Sequence, residues 1–456
     1  MHPSSWLRNR SFRLTCAVAL VTLSWGASAE PCSANAVVRP ASYGASHPFA
    51  KSWTETVLLG FGGQDGAYPY SPLIDVKGTL YGTADNGGAS APPHNALSSG
   101  GFTGWGAVYA MVPHGKTYVE AVVYSFTGGP GDGANPFAGL VADASGALYG
   151  TTLDGGAKGY GTVFKLAPSG STYTESILHS FTGSPDGASP YGSLVVDASG
   201  AVYGTTAQGG SKQCTGGCGA VFKLTPGASG YTETIVRAFK AHNDGLYPYA
   251  NVTLGPGGVI FGTTYFGGSA GNGTVFKLTP SGASYTETLI YSFAGGTTDG
   301  TFPQSGVTLA KNGVLYGTTS GGGNPACTGG CGMVYALTPS GSSYVETIVH
   351  AFAAGSDGFF PYAGIALGAG GKLYGTTYYG GSGCSPTGCG TVYLLAPSGS
   401  TYAETTYDFS GGTDGELPNA APLLEGRDLL GTTYSGGGGA CFQDQSACGA
   451  VWEIKL

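Results

Sequence analysis

A chain of 456 residues with 85 Gly, 29 Tyr and only 10% charged residues lacks both the Ala, Glu, Lys and Leu excess of a helical protein and the charge density of a disordered one. It reads as all-β with many turns. The formal net charge of −8 argues against nucleic acid or an anionic membrane surface as a partner.

Residues 1–29 have the form of a secretory signal: Arg8, Arg10 and Arg13 precede the apolar run LTCAVALVTLSWG, and Ala27–Ala29 offers small residues for cleavage. The run is too short to span a bilayer, no later segment is apolar enough to anchor the chain, and Ala29, Glu30 and Pro31 do not make a lipobox before Cys32. Without the signal the chain carries 15 Lys+Arg against 26 Asp+Glu, a net of −11. Residues 30–52 form an N-terminal extension ahead of the repeats.

From Trp53 onward the chain repeats itself. The tag YGT or a variant falls at Gly82, Gly150, Gly204, Gly262, Gly317, Gly375 and Gly431, at spacings of 68, 54, 58, 55, 58 and 56 residues. The second unit shows four short β-like runs, GLVAD, ALYGTT, GTVFKLAP and YTESILHSF, separated by the turn signals ASG, LDGGAKGY and PSGS and closed by DGASP. Four antiparallel strands per unit describe a propeller blade, and seven units at this period a seven-bladed β-propeller over residues 53–456. The repeated part begins with WTETVLLGF, a fourth run, and stops at GAVWEIKL, a third. The phase shift predicts that residues 53–61 pair with residues 449–456 as the outer strand of the last blade, so that no sheet edge stays open.

The stretch from Phe261 to Gly282, FGTTYFGGSAGNGTVFKLTPSG, resembles the GloVer-type tandem-repeat proteins, bacterial exported proteins whose repeat carries YGTT, a Gly pair and then GTVF. The resemblance covers residues 53–456 and implies export and a propeller-like fold. It implies no activity. Members often carry an anchoring tail, whereas this sequence stops within a strand at Leu456, which favours release over surface attachment.

DGxxP recurs in all seven units, with Asp65, Asp132, Asp186, Asp244, Asp299, Asp357 and Asp414. Each Asp is expected to accept backbone hydrogen bonds across its turn, while the Gly takes a positive φ and the Pro sets the entry to the next inner strand; a ring of cation-binding carboxylates is the alternative. The outer strands repeat Glu55, Glu120, Glu175, Glu233, Glu287, Glu346 and Glu404, too far apart around the rim to converge on one substrate and with no partner legible in sequence. Cys214 with Cys218, Cys327 with Cys331, Cys384 with Cys389, and Cys441 with Cys448 read as four local disulfides in an exported protein; zinc fits them poorly, since the pairs lie on different blades. Cys32 is left over.

The loops between second and third strands emerge with the DGxxP turns on one face, and the opposite face has only short turns. This loop face is where a site is expected. Tyr70, Phe137, Tyr191, Tyr249 and Tyr362 directly follow DGxxP and are expected to pack at the channel mouth. Departures from the repeat single out Asp85, His94, Asp154 and Asp444 as polar candidates, and Tyr265 and Tyr378 as stacking platforms for a glycan or an extracellular protein. The scattered His residues imply no nucleophile pair. Two functions follow: a non-enzymatic exported binding or scaffold propeller or, as the alternative, a hydrolase or lyase acting on extracellular polysaccharide through Asp85, Asp154 and Asp444. No cofactor or metal is called for, and a monomer is expected.

Overall fold

The tag glycine explains how each blade is built. A Cβ on Gly150 would lie 2.5 Å from the Phe164 ring, and one on Gly431 would lie 2.2 Å from the Trp452 ring, so the second strand can carry no side chain where an aromatic of the third crosses it. The computed structural model describes residues 53–88, 104–115, 117–439 and 448–456. Within them lie seven blades of four antiparallel strands, the third extended to a six-stranded sheet by the short strands Gly187–Ala188 and Gln208–Gly210. The second blade runs outward from Val141–Ala142 through Leu148–Thr152 and Thr162–Ser169 to Thr172–Ser180. The second strand is buried along its whole length, because neighbouring blades cover both of its faces.

The ends close the ring as the phase shift predicts. Thr54–Gly60 pairs antiparallel with Ala450–Lys455, Thr54 opposite Lys455 and Gly60 opposite Ala450, and Asp428–Thr433 and Leu423–Glu425 complete that sheet. Two bonds join this blade to the first across the same seam: Thr432 Oγ1 donates to the Ser71 carbonyl at 3.0 Å, and the Tyr68 N–H to the Cys448 carbonyl at 2.7 Å.

Each seam between blades is packed alike. The Phe that ends one outer strand meets the third-strand aromatic of the next blade: Phe61 with Tyr109 at 4.9 Å, Phe126 with Phe164 at 5.1 Å, Phe181 with Phe222 at 5.2 Å, and so around to Phe409 with Trp452 at 5.7 Å. Such crossed ring pairs add about 0.5–1.5 kcal/mol beyond the area they bury. The Thr of the tag adds a hydroxyl bond to the next blade's backbone, as from Thr83 to Ala138 and Thr318 to Ala363. Thr151 alone in this series is buried with no partner.

The repeated Asp does what its turn demands. Asp132 accepts from the N–H of Thr127 and of its own Gly133, and Asp414 from that of Ser410. The positive φ is placed differently from expectation. It falls on the Gly at only four turns, Gly66, Gly245, Gly358 and Gly415, but on the residue before Pro at all seven: Tyr68, Asn135, Ser189, Tyr247, Phe302, Phe360 and Leu417, at φ 53–60°. Non-Gly residues adopt this region only where the surroundings hold them. Here each N–H donates to the previous blade's loop, and each C=O accepts from its own blade's loop, as in Phe360 N–H to Cys331 and Tyr378 N–H to Phe360. The strained residue is a latch between blades.

Disulfides join Cys214 to Cys218, Cys327 to Cys331 and Cys384 to Cys389. Cys448 is also disulfide-bonded, while Cys441, its expected partner, lies outside the described residues. The carbonyls of Cys218, Cys331, Cys389 and Cys448 are the ones the latches use, so these disulfides fix the acceptor of an inter-blade bond as well as stiffening a Gly-rich loop. Among the described residues no helix is long and apolar enough to cross a membrane.

Candidate functional site

Where the loop face turns into the inner strands, the residues after Pro and the first residues after the tag bring their aromatic side chains together. Tyr70 stacks on Phe137 at 4.2 Å, Phe137 meets Tyr191 at 5.3 Å, Tyr191 meets Tyr249 at 5.2 Å, and Tyr249 meets Tyr265 at 5.3 Å. Tyr265 lies nearly parallel to Phe302 at 5.2 Å. On the other side Tyr362 meets Tyr378 at 5.2 Å, and Tyr434 meets Tyr70 at 4.7 Å. The Tyr70 and Tyr378 hydroxyls lie within electrostatic reach of each other, which brings the two arcs together as one collar. At the fifth and seventh junctions the aromatic after Pro is replaced by Gln304 and Asn419. Gln304 and Ser320 lie beside the Tyr265 hydroxyl; the Asn419 Oδ1 is buried without a donor.

Asp85 sits beside this collar. Asn86 Nδ2 donates to its carboxylate at 2.8 Å, and its negative charge reaches Tyr70 and Tyr434. Burial first and then the nearby charge of Asp154, opposed by hydrogen bonds from Asn135 and Asn86, raise the Asp85 carboxyl to about 7. Asp154 itself is exposed on the short strand Asp154–Gly155. Two of the sequence candidates therefore come together. Tyr378 is a half-buried part of the collar, whereas Tyr265 is only 6% exposed and has one face covered by Phe302, making it a wall rather than an open platform. His94 and Asp444 lie outside the described residues. Tyr70, Tyr362 and Tyr434 complete the collar; the first two carried a sequence signal in their place after DGxxP, and the third in its place directly after the tag.

The outer-strand glutamates do have partners. Each faces the Asp of the preceding DGxxP turn across a seam, so that Glu175 feels Asp132, Glu346 feels Asp299 and, at ring closure, Glu55 feels Asp414. All seven present a buried Oε1 that makes no hydrogen bond, that of Glu404 lying 3.6 Å from His350 Nε2. Burial first, then the Asp charge, lifts Glu120, Glu175 and Glu346 to about 7 and Glu55 to about 8. A shared proton relieves such a pair. They remain spread around the rim, as the sequence indicates, and take no part in the collar.

Fold and face together define a seven-bladed, disulfide-bearing propeller with an aromatic collar on its loop face. The chain belongs to the Gloeobacter/Verrucomicrobia repeat family, whose profile matches residues 94–329. No curated protein matches the sequence. Among solved structures it is similar to one described as a candidate 6-phosphogluconolactonase of Bacteroides uniformis, at 16% identity and a TM-score of 0.45 over 71% of this chain and 84% of that one. It is also similar to the PQQ-bound aldose sugar dehydrogenase of Streptomyces coelicolor, at 13% identity and 0.39 over 69% and 93%. A puromycin-hydrolysing peptidase of Mycobacterium tuberculosis matches at 12% identity and 0.45 over 84% and 52%. The fold assignment rests on the strand pairing described above, and these likenesses carry nothing about activity.

Proposed function

We propose that this protein is an exported binding propeller that takes an extracellular glycan on its loop face. The observation that carries the reading is the collar: a run of half-buried aromatic rings, several ending in a hydroxyl, with the Asp85 carboxyl at its edge. Sugar rings offer C–H faces to aromatic side chains and hydroxyls to carboxylates, and a concave aromatic site with a few polar groups suits them. Export fits the disulfides, which persist in oxidising compartments, and the signal-like residues 1–29. The test is a screen against soluble glycans and extracellular proteins. It is followed by Tyr378→Ala with Tyr434→Ala, both half-buried, and separately by Asp85→Asn with Asp154→Asn. Loss of binding with unchanged melting supports the site; unchanged affinity in both double variants, or a protein ligand only, overturns the reading.

One observation favours a second reading, a polysaccharide hydrolase or lyase. Asp85, raised to about 7 beside the charge of Asp154, has the form of a proton donor next to an ionised carboxylate. Turnover of any polysaccharide by the wild type, lost in Asp85→Asn, would establish it.

A further inference from the structure

The seven seams are the same site built seven times with one variable position. Each holds a DGxxP Asp from one blade and an outer-strand Glu from the next. The side chain two residues before the outer-strand Phe is variable: Leu59, Tyr124, His179, Arg237, Tyr291, His350 or Tyr407. At the Arg237 seam the guanidinium bridges Asp244 and Glu287, placing a fixed positive charge between the two carboxylates. At the Tyr407 seam a hydroxyl bonds Asp414 at 3.0 Å. At two seams the variable residue is His. His179 Nε2 lies 3.2 Å from both Asp186 oxygens, with Glu233 completing the set; His350 Nε2 lies 2.9 Å from Asp357 and 3.6 Å from Glu404. In each set one donor atom per residue falls within 4.8 Å of the others.

We propose that the His179–Asp186–Glu233 and His350–Asp357–Glu404 seams are two equivalent binding sites for a zinc-class divalent ion, which staples adjacent blades together. Tetrahedral zinc with bonds of about 2.0–2.1 Å holds its ligand atoms roughly 3.3 Å apart, close to the His–Asp and His–Glu separations. One imidazole nitrogen and two carboxylates leave a fourth position for water, the donor set such an ion accepts. Glu233 and Glu404 each bring a buried Oε1 with no hydrogen-bond donor, and the Arg237 seam shows that the same two carboxylates are built to hold a cation. The His350 site keeps a way in: His350, Asp357 and Glu404 retain 20%, 19% and 15% side-chain exposure. Asp357 also accepts from the Ala353 N–H and Asp186 from the Thr182 N–H, bonds that orient the ligand carboxylates from behind.

The repeat supplies its own control, since Tyr occupies the variable position at three other seams. Tag-free protein stripped of metal and titrated with Zn²⁺ against a chromogenic chelator at pH 7.5 should take up two ions per chain. His179→Tyr and His350→Tyr should each take up one, and the double variant none. Zn²⁺ should raise the melting temperature of the wild type and leave that of the double variant unmoved, and Co²⁺ loading should give visible d–d absorption in the wild type, about half of it in each single variant and none in the double variant. Uptake that persists in the double variant, or a wild type that competes for no Zn²⁺, overturns the proposal. In the latter case the two histidines serve only as hydrogen-bonded bridges between the carboxylates.

Discussion

Phe61→Ala probes ring closure most sharply. Phe61 is fully buried at the end of the N-terminal strand, its ring 4.9 Å from Tyr109 of the first blade, and its N–H donates to the Gly449 carbonyl at 3.0 Å. Truncating a buried Phe costs about 3–5 kcal/mol where the site cannot collapse, and the crossed ring pair is part of that loss. Phe181, equally buried and 5.2 Å from Phe222, does the same work at a seam that chain continuity already holds. In a closed ring the two seams are equivalent, so Phe61→Ala and Phe181→Ala should destabilise by the same amount to within about 1 kcal/mol. The assay is equilibrium unfolding in urea, followed by far-UV circular dichroism and by tryptophan fluorescence. Trp53 and Trp452 report on the closing blade, where Trp452 is fully buried and Trp53 packs in the same core cluster. A Phe61→Ala cost below about 1 kcal/mol, with Phe181→Ala near 3–5, would mean that the N-terminal strand frays freely and that the closure argument is wrong.

Thr432→Val should cost about 1–3 kcal/mol, because the buried hydroxyl it removes serves the Ser71 carbonyl across the closing seam; Thr151→Val, whose hydroxyl has no partner, should be neutral or stabilising in the same thermal melts. Stability should fall as pH rises from about 4.5 towards 8. The outer-strand Glu residues, raised from 4.5 to about 7 or 8, keep protons in the folded state that the unfolded chain has already released. Melting at pH 5 should therefore exceed that at pH 8, and Glu175→Gln should narrow the difference; a melting temperature that climbs with pH over this window would contradict the carboxyl pairs. Gly150→Ala, forcing a Cβ to within 2.5 Å of Phe164, should destabilise by about 1–3 kcal/mol in urea titrations. Replacing Cys214 and Cys218 together by Ser should cost about 2 kcal/mol, the loop-closure value for five residues, with the circular dichroism spectrum unchanged.

The blade count, the closing strand and the pairs Cys214–Cys218, Cys327–Cys331 and Cys384–Cys389 were legible because each depends on local spacing or on the phase of the repeat. Seven tags, a fourth-type run at Trp53 and a third-type run ending at Leu456 leave few alternatives. The seam pairs were not legible. Glu175 and Asp132 stand 43 positions apart, and only the lateral register of two blades shows that they face each other. The latch was hidden for a different reason. Its seven occupants, from Ser189 to Phe360, share no side-chain chemistry, and the neighbouring Gly drew the positive φ that the latch residue takes. In the candidate site, the proximity of Asp85 and Asp154 follows from their blades being neighbours. The covered ring of Tyr265 depends on Phe302, whose side-chain direction is set by the latch conformation.

The central claim is that the aromatic collar is the binding surface. It is tested most directly by hydroxyl-radical footprinting of the protein with and without a bound glycan from the screen. Protection of Tyr70, Tyr378 and Tyr434, with the turns Ser169–Thr172 and Ser281–Ser284 on the opposite face unchanged, is the predicted result; protection of those turns with the collar tyrosines unaltered would contradict it.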